Sequence, residues 1–225
     1  MTGLGHATGV ILAKELRTEF RSRELLGTTI VFVLIVIVLF SFTFDPTSSE
    51  SRRFGPGLLW LAFLFAGSLM LQPSFLREHT NDTLSALRLA PIDPFSILAG
   101  KMAANFLFLL LVELILLPVF AVMYNVAILP VIGPLVLVLA LGTLGITTAG
   151  TVFSAVAAQA RLRELLLPLL LLPLMAPVLI ASTEATAGLL RDPSDLSLVW
   201  MTFLVTFDIV FLTAAWLFGE YLLEE

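Results

Sequence analysis

Two carboxylates sit where a carboxylate is costly. Glu113 lies near the middle of the apolar run Asn105–Tyr124, and Asp208 near the middle of Leu198–Leu217. On insertion scales an ionised carboxylate at mid-bilayer costs at least ~2.5–3.5 kcal/mol, so an intramembrane acid is a functional candidate by default. No Lys or Arg falls inside any of the long apolar runs. Each acid is therefore expected to be neutral, to hydrogen-bond a Thr or a backbone carbonyl, or to meet a cation at an interface. For Glu113 a functional role and a plain helix–helix hydrogen bond stand level. For Asp208, with Thr206 and Thr213 close by, the hydrogen bond is favoured.

Other reactive groups are few. The chain has no Cys, which excludes disulfides, thiolate metal sites and Cys nucleophiles. Its two histidines are His6, near the N-terminus, and His79, in a polar stretch. There is no H-E-x-x-H motif for metal-dependent hydrolysis and no G-x-x-x-x-G-K-[ST] loop to cradle phosphates. Gly100-Lys101 lacks both the upstream Gly spacing and the following Ser/Thr. A net charge of −5 argues against nucleic acid as a partner.

The elements that must position these residues are membrane spans. The 225 residues are 59% hydrophobic and 13% charged, with a mean hydropathy of +1.04, whereas globular chains carry about 25% charged residues. The excess apolar surface must face lipid. Six runs reach the roughly 20 residues a span needs: about 26–44, 57–75, 105–124, 131–158, 165–182 and 198–217. The expected fold is all-α: one polytopic transmembrane domain over 1–225. Leu25–Phe44 is too long for a signal-peptide core and no small-x-small cleavage site follows it, so it reads as the first span. Before it, Leu12, Leu16 and Phe20 recur at i, i+4, i+8 among Lys14, Arg17, Arg21 and Glu24, which suits a helix lying in the membrane interface.

Loop charge orients the spans. Nine Lys/Arg fall on one face: Lys14, Arg17, Arg21 and Arg23; then Arg77, Arg88 and Lys101; then Arg161 and Arg163. Arg52, Arg53 and Arg191 fall on the other. The positive-inside rule puts both termini in the cytoplasm. Trp200 and Trp216 bound the last span, as interfacial Trp do.

The cytoplasmic stretch Phe75–Lys101 is the one substantial polar island. Asp82 can cap a short helix carrying Leu84 and Leu87 on one face, and Pro91 stops it. Asp93 then caps a second helix with Pro94 at its first position, running into the third span. This compact, capped loop suits docking to a soluble partner, with the short turn at Arg161, Arg163 and Glu164 on the same face. In the fourth span Gly142, Gly145, Ala149 and Gly150 lie among Thr143, Thr147, Thr148 and Thr151, a pattern for close helix packing. Pro168, Pro173 and Pro177 make the fifth span a kinked helix rather than an unwound one.

The island resembles the coupling region of ABC-2-type exporter permeases. Arg77-Glu78, then Asn81-Asp82-Thr83-Leu84, Leu87, Leu89, Pro91, Pro94 and Lys101 are similar to the CcmB family, the B subunit of the cytochrome c maturation haem exporter. Arg161–Pro177, the Glu184-Ala185-Thr186 that follows, and the segment Lys14–Arg21 are similar too, so the resemblance covers nearly the whole chain. It implies a non-catalytic permease subunit in the cell's inner (plasma) membrane, driven by ATP hydrolysis in a separate cytoplasmic ABC ATPase. That ATPase would dock on Arg77, Glu78, Asp82, Leu84, Leu87 and Arg88, with Arg161, Arg163 and Glu164. The resemblance further implies the other cytochrome c maturation membrane subunits and a periplasmic haem chaperone as partners, two copies of the chain per complex, and haem as cargo of the complex. Haem ligation by this chain itself is poorly supported. Its spans contain no His, and Met70, Met102, Met123 and Met175 sit in apolar runs where Met is ordinarily packing. An exporter of lipid, drug or polysaccharide, or an ion-coupled carrier using Glu113 and Asp208, are the alternatives.

Overall fold

The computed structural model describes residues 3–43, 49–71, 93–158, 163–191 and 194–224. Among them the chain is all-helical. Helix α1 spans Leu4–Ser22 and α2 Glu24–Thr43; α3 is Ser49–Leu71, and α4 is Pro94–Met123. A 3-10 turn over Leu129–Val131 leads into α5, Ile132–Ala158. Helix α6 is Arg163–Leu189 and α7 is Leu198–Glu224. Six stretches are long and apolar enough to cross a membrane: Glu24–Thr43, Phe54–Leu71, Pro94–Met123, Leu129–Ala157, Leu172–Leu189 and Leu198–Gly219. The expected six-span protein is observed, and the chain is a multi-pass membrane protein.

Helix α5 is the hub, packing against α3, α4, α6 and α7. Its small residues explain why. A Cβ on Gly142 would overlap the ring of Trp60 and the hydroxyl of Ser182, so α3 and α6 close onto α5 only because that side chain is missing. Trp60, fully buried, stands edge-on to Phe63 with ring centres 5.7 Å apart. Helix α7 and much of α2 leave large apolar side chains outward, among them Ile35, Leu39, Phe203, Ile209 and Trp216, as lipid-facing spans do.

Three details differ from the sequence expectation. The third span starts at Pro94, eleven residues earlier than hydropathy alone placed it, because the capped lead-in and the span form one continuous 30-residue helix. The fifth continues past Ser182 to Leu189, while remaining helical rather than unwound through Pro168, Pro173 and Pro177 as expected. Pro173 and Pro177, four residues apart, share an outward face.

The third concerns α1, whose buried side is Ala7, Ile11 and Glu19, with Leu12 and Leu16 only partly covered and Phe20 53% exposed. Ile11 meets Gly100, Glu15 meets Lys101 and Phe20 meets Phe108, so α1 runs alongside the start of α4 in the same direction. The inward stripe is therefore displaced one residue from the Leu12/Leu16/Phe20 stripe, because a second helix covers the polar side.

Candidate functional site

Two polar assemblies stand out, one at the N-terminal end of the bundle and one in its middle. The first begins where the polar island ends. Asp93 caps α4 as expected: its Oδ1 accepts the Phe95 amide at 2.8 Å, with Pro94 at the first helical position. Two turns on, Lys101 turns inward. Its side chain is 1% exposed, and its Nζ donates to Glu15 Oε1 at 2.9 Å. Lys14 donates to the same oxygen at 3.2 Å. Burial works against the Glu15 carboxylate, but the Lys101 and Lys14 ammonium groups outweigh it and hold the carboxyl below its ordinary value.

Beside this pair, Ile11 presses on Gly100 so closely that a Cβ there would lie 2.6 Å from the Ile11 Cβ. Glu19 completes the corner. Arg23 adopts a left-handed conformation (φ 54°) that ends α1, and Glu19 Oε1 accepts the Leu26 amide in the first turn of α2 at 2.9 Å. An orphan donor at a helix start is thus satisfied by an acid seven residues upstream. The N-terminal helix, the first span and the helix leaving the island are joined here into one unit.

The second assembly is a polar seam around α5. Thr143 donates to Glu113 Oε2 at 2.6 Å. Asn105 Nδ2 donates to Thr151 Oγ1 at 3.0 Å, Trp60 Nε1 to Thr186 Oγ1 at 2.9 Å, and the Ser154 hydroxyl to the Leu71 carbonyl at 2.7 Å. These bonds tie α4 to α5, α3 to α6 and α5 to α3. Interhelical hydrogen bonds of this kind hold spans together where no hydrophobic force between helices operates. Glu113 thus makes the helix–helix bond that was one of its two expectations, while its Oε1 has no hydrogen-bond partner among the described residues.

Asp208 departs from expectation. Neither oxygen has a partner among the described residues, and Thr206 bonds its own helix at the Thr202 carbonyl instead. The carboxylate lies against Gly145, where a Cβ would sit 3.0 Å from Oδ1. Thr143 and Gly145 are two residues apart and so point about 200° apart around α5. Glu113 and Asp208 therefore flank opposite sides of that helix and do not form one site. No group of three or more His, Cys, Asp or Glu is placed to hold a metal among the described residues.

Of the expected docking residues, Arg77, Glu78, Asp82, Leu84, Leu87, Arg88 and Arg161 lie outside the described residues. Arg163 and Glu164 open α6, with side chains that are likewise outside the description. Sequence reasoning missed the Glu15–Lys101 pair, the Glu19 cap and the Trp60–Thr186 bond. Periodicity carried no signal for them: their partners are far apart in sequence or hidden on the polar side of α1.

The CcmB protein family model matches residues 6–218, which takes in both assemblies and all six spans. The chain belongs to the CcmB family. Among its relatives, Heme exporter protein B of Pseudomonas aeruginosa is 33% identical, covering 88% of this chain and 89% of its own. The protein of the same name from Paracoccus denitrificans is 33% identical over 78% of this chain and 80% of its own. That of Rhodobacter capsulatus is 32% identical over 77% and 79%. The likeness seen first in the island and in Arg161–Pro177 thus extends through the helices that carry the seam and the corner.

Proposed function

We propose that this chain is the membrane permease subunit of an ABC-type complex for cytochrome c maturation. In this reading it couples ATP hydrolysis in a separate cytoplasmic ATPase to delivery of haem or to release of the haem-loaded chaperone. One observation carries the reading: family membership runs unbroken through every span, and the relatives bear the name heme exporter protein B. Haem is cargo of the complex rather than a cofactor of this chain, and ATP belongs to the partner. Two copies of the chain, the other maturation membrane subunits and the haem chaperone complete the assembly. The complex sits in the inner membrane with both termini of this chain cytoplasmic, in keeping with its loop charges.

The corner at the N-terminal end supports the coupling role physically. Whatever pushes on the island acts on α4, and α4 is joined to α1 through Lys101–Glu15 and Ile11–Gly100. The carrier alternative loses its site, since Glu113 and Asp208 flank opposite sides of α5.

Co-purification tests the reading. The ATPase subunit is expected to come out of membranes with the wild-type chain and to be lost, by at least tenfold, from Leu84→Asp/Leu87→Asp. Unchanged association in that variant, with the permease still inserted, would sink the docking assignment. Failure of the chain to restore covalently attached haem to c-type cytochromes in a strain lacking it would sink the cargo.

A further inference from the structure

At the end of the bundle opposite the Glu15–Lys101 corner lies a cavity of about 450 Å³. It opens between the early turns of α3, the end of α4 with the loop that follows, and the end of α6. Its described lining residues mix apolar side chains, Phe120, Val131 and Leu189 among them, with polar surface of nearly equal extent. Three polar residues join them: Asn125, Ser194 and Arg191. None of the described lining residues is acidic, and no carboxylate pairs with Arg191 among the described residues. Pockets for small ligands are commonly of this size.

The walls are built rather than incidental. Phe120 stacks on Tyr124 with centroids 4.6 Å apart, and both rings bear on α3 at Gly55. Asn125 takes a left-handed conformation (φ 50°) that closes α4 and turns the chain along the cavity. On the other wall, the Asp195 amide returns to the Gly188 carbonyl at 3.0 Å, and the Arg191 amide reaches the same carbonyl at 3.3 Å. Gly188 permits this fold-back, because a Cβ there would overlap the Asp195 carbonyl oxygen. These two bonds hold Arg191 and Asp195 to the last turn of α6, and Arg191 is part of the cavity lining.

We propose that this cavity binds an amphiphile with an apolar body and an anionic head, the body against Phe120, Val131 and Leu189 and the carboxylate or phosphate on Arg191. The guanidinium fork suits either head, since both present paired oxygens. Two sources share that chemistry: an acidic phospholipid of the surrounding leaflet and a carboxylated planar cargo. The second source rests on the haem reading given above.

The purified full-length chain in nanodiscs distinguishes them. In discs of phosphatidylcholine with phosphatidylglycerol, native mass spectrometry reads the acidic lipid retained. In discs of phosphatidylcholine alone, fluorescence titration reads protoporphyrin IX, which has two carboxylates and no iron to ligate. At least one probe is expected to bind, tenfold or more weakly to Arg191→Glu and not measurably to Ala127→Trp, which fills the cavity from an exposed lining position. Retained phosphatidylglycerol with that sensitivity identifies the leaflet as the source, and porphyrin binding with it identifies the cargo. Binding of neither probe, or binding that both variants leave within twofold, overturns the proposal. These readouts need no ATPase, so their failure leaves island docking intact, and a failure of docking leaves this cavity's ligand intact.

Discussion

Glu15 and Glu113 are both glutamates whose carboxylates are tucked between helices, and the chain satisfies them in opposite ways. Glu15, at the end of the bundle, takes two ammonium groups and keeps a fifth of its surface. Glu113, wholly buried among the spans, takes one neutral hydroxyl and leaves its second oxygen without a partner among the described residues. The difference is depth. A Lys is tolerated near a helix end, where its charge sits close to water and headgroups, but at mid-span it carries the same insertion penalty as the acid it would neutralise. The end of the bundle is therefore held by charge and the middle by hydroxyls and missing side chains. The charged end is where the island leads into α4, so an electrostatic contact that solvent can reach is placed where motion has to be transmitted, and a neutral seam where helices have to stay packed.

The sharpest way to break this contrast is to put charge in the middle. Glu113→Lys leaves an uncompensated buried cation and is expected to cost about 3–5 kcal/mol, enough to remove folded protein from detergent extracts. Glu113→Gln keeps the hydrogen bond to Thr143 and is expected to cost no more than about 1 kcal/mol. Melting temperatures from fluorescence-detected size exclusion separate the two. A Gln variant as damaged as the Lys variant would mean that the seam depends on an ionised carboxylate.

A smaller effect is expected at the end of the bundle. Lys101→Met leaves the partly exposed Glu15 with Lys14 alone and is expected to cost about 1–3 kcal/mol, less than breaking a fully buried pair because solvent screens one side. Exchanging the two charges, Glu15→Lys with Lys101→Glu, is expected to recover over half of that loss of melting temperature. If the exchanged pair is no better than the single variant, the corner is held by Ile11 on Gly100 and not by charge.

Acid sharpens the contrast with the least perturbation. The Glu15 carboxyl sits below its ordinary value because Lys101 and Lys14 outweigh its burial. Its contribution is therefore complete above the ordinary carboxylate range, near about pH 4.3 for Glu, and disappears as pH falls through the depressed folded value. The difference in melting temperature between wild type and Glu15→Gln is expected to stay constant from neutral pH to about pH 5 and to narrow below about pH 4. A difference that persists or grows in acid would contradict the ion pair.

Much of the plan was open to reading from residue order. Hydropathy located six spans and missed their limits chiefly at Pro94 and Leu189, where polar residues ride on helices that continue beyond the apolar window. The Asp93–Pro94 cap was readable because capping is local, made by neighbours in sequence. Glu113 and Asp208 announced themselves through the cost of an acid in a span. The Glu15–Lys101 pair did not, because its members are 86 residues apart and one stands on the side of α1 that periodicity assigns to water.

Local chemistry, then, was settled by the chain alone: which stretches are apolar, where helices begin, which acids are out of place and which family the pattern resembles. Its causes act over a few neighbouring residues or a single helix. Only the tertiary structure decided what each out-of-place group meets. It set α5 as the hub by closing Trp60 and Ser182 onto Gly142, put Glu113 and Asp208 on opposite sides of that helix, and turned the polar side of α1 inward against Lys101. Partners of this kind are chosen by the angle and depth at which whole helices pack, and no short window of sequence contains that information.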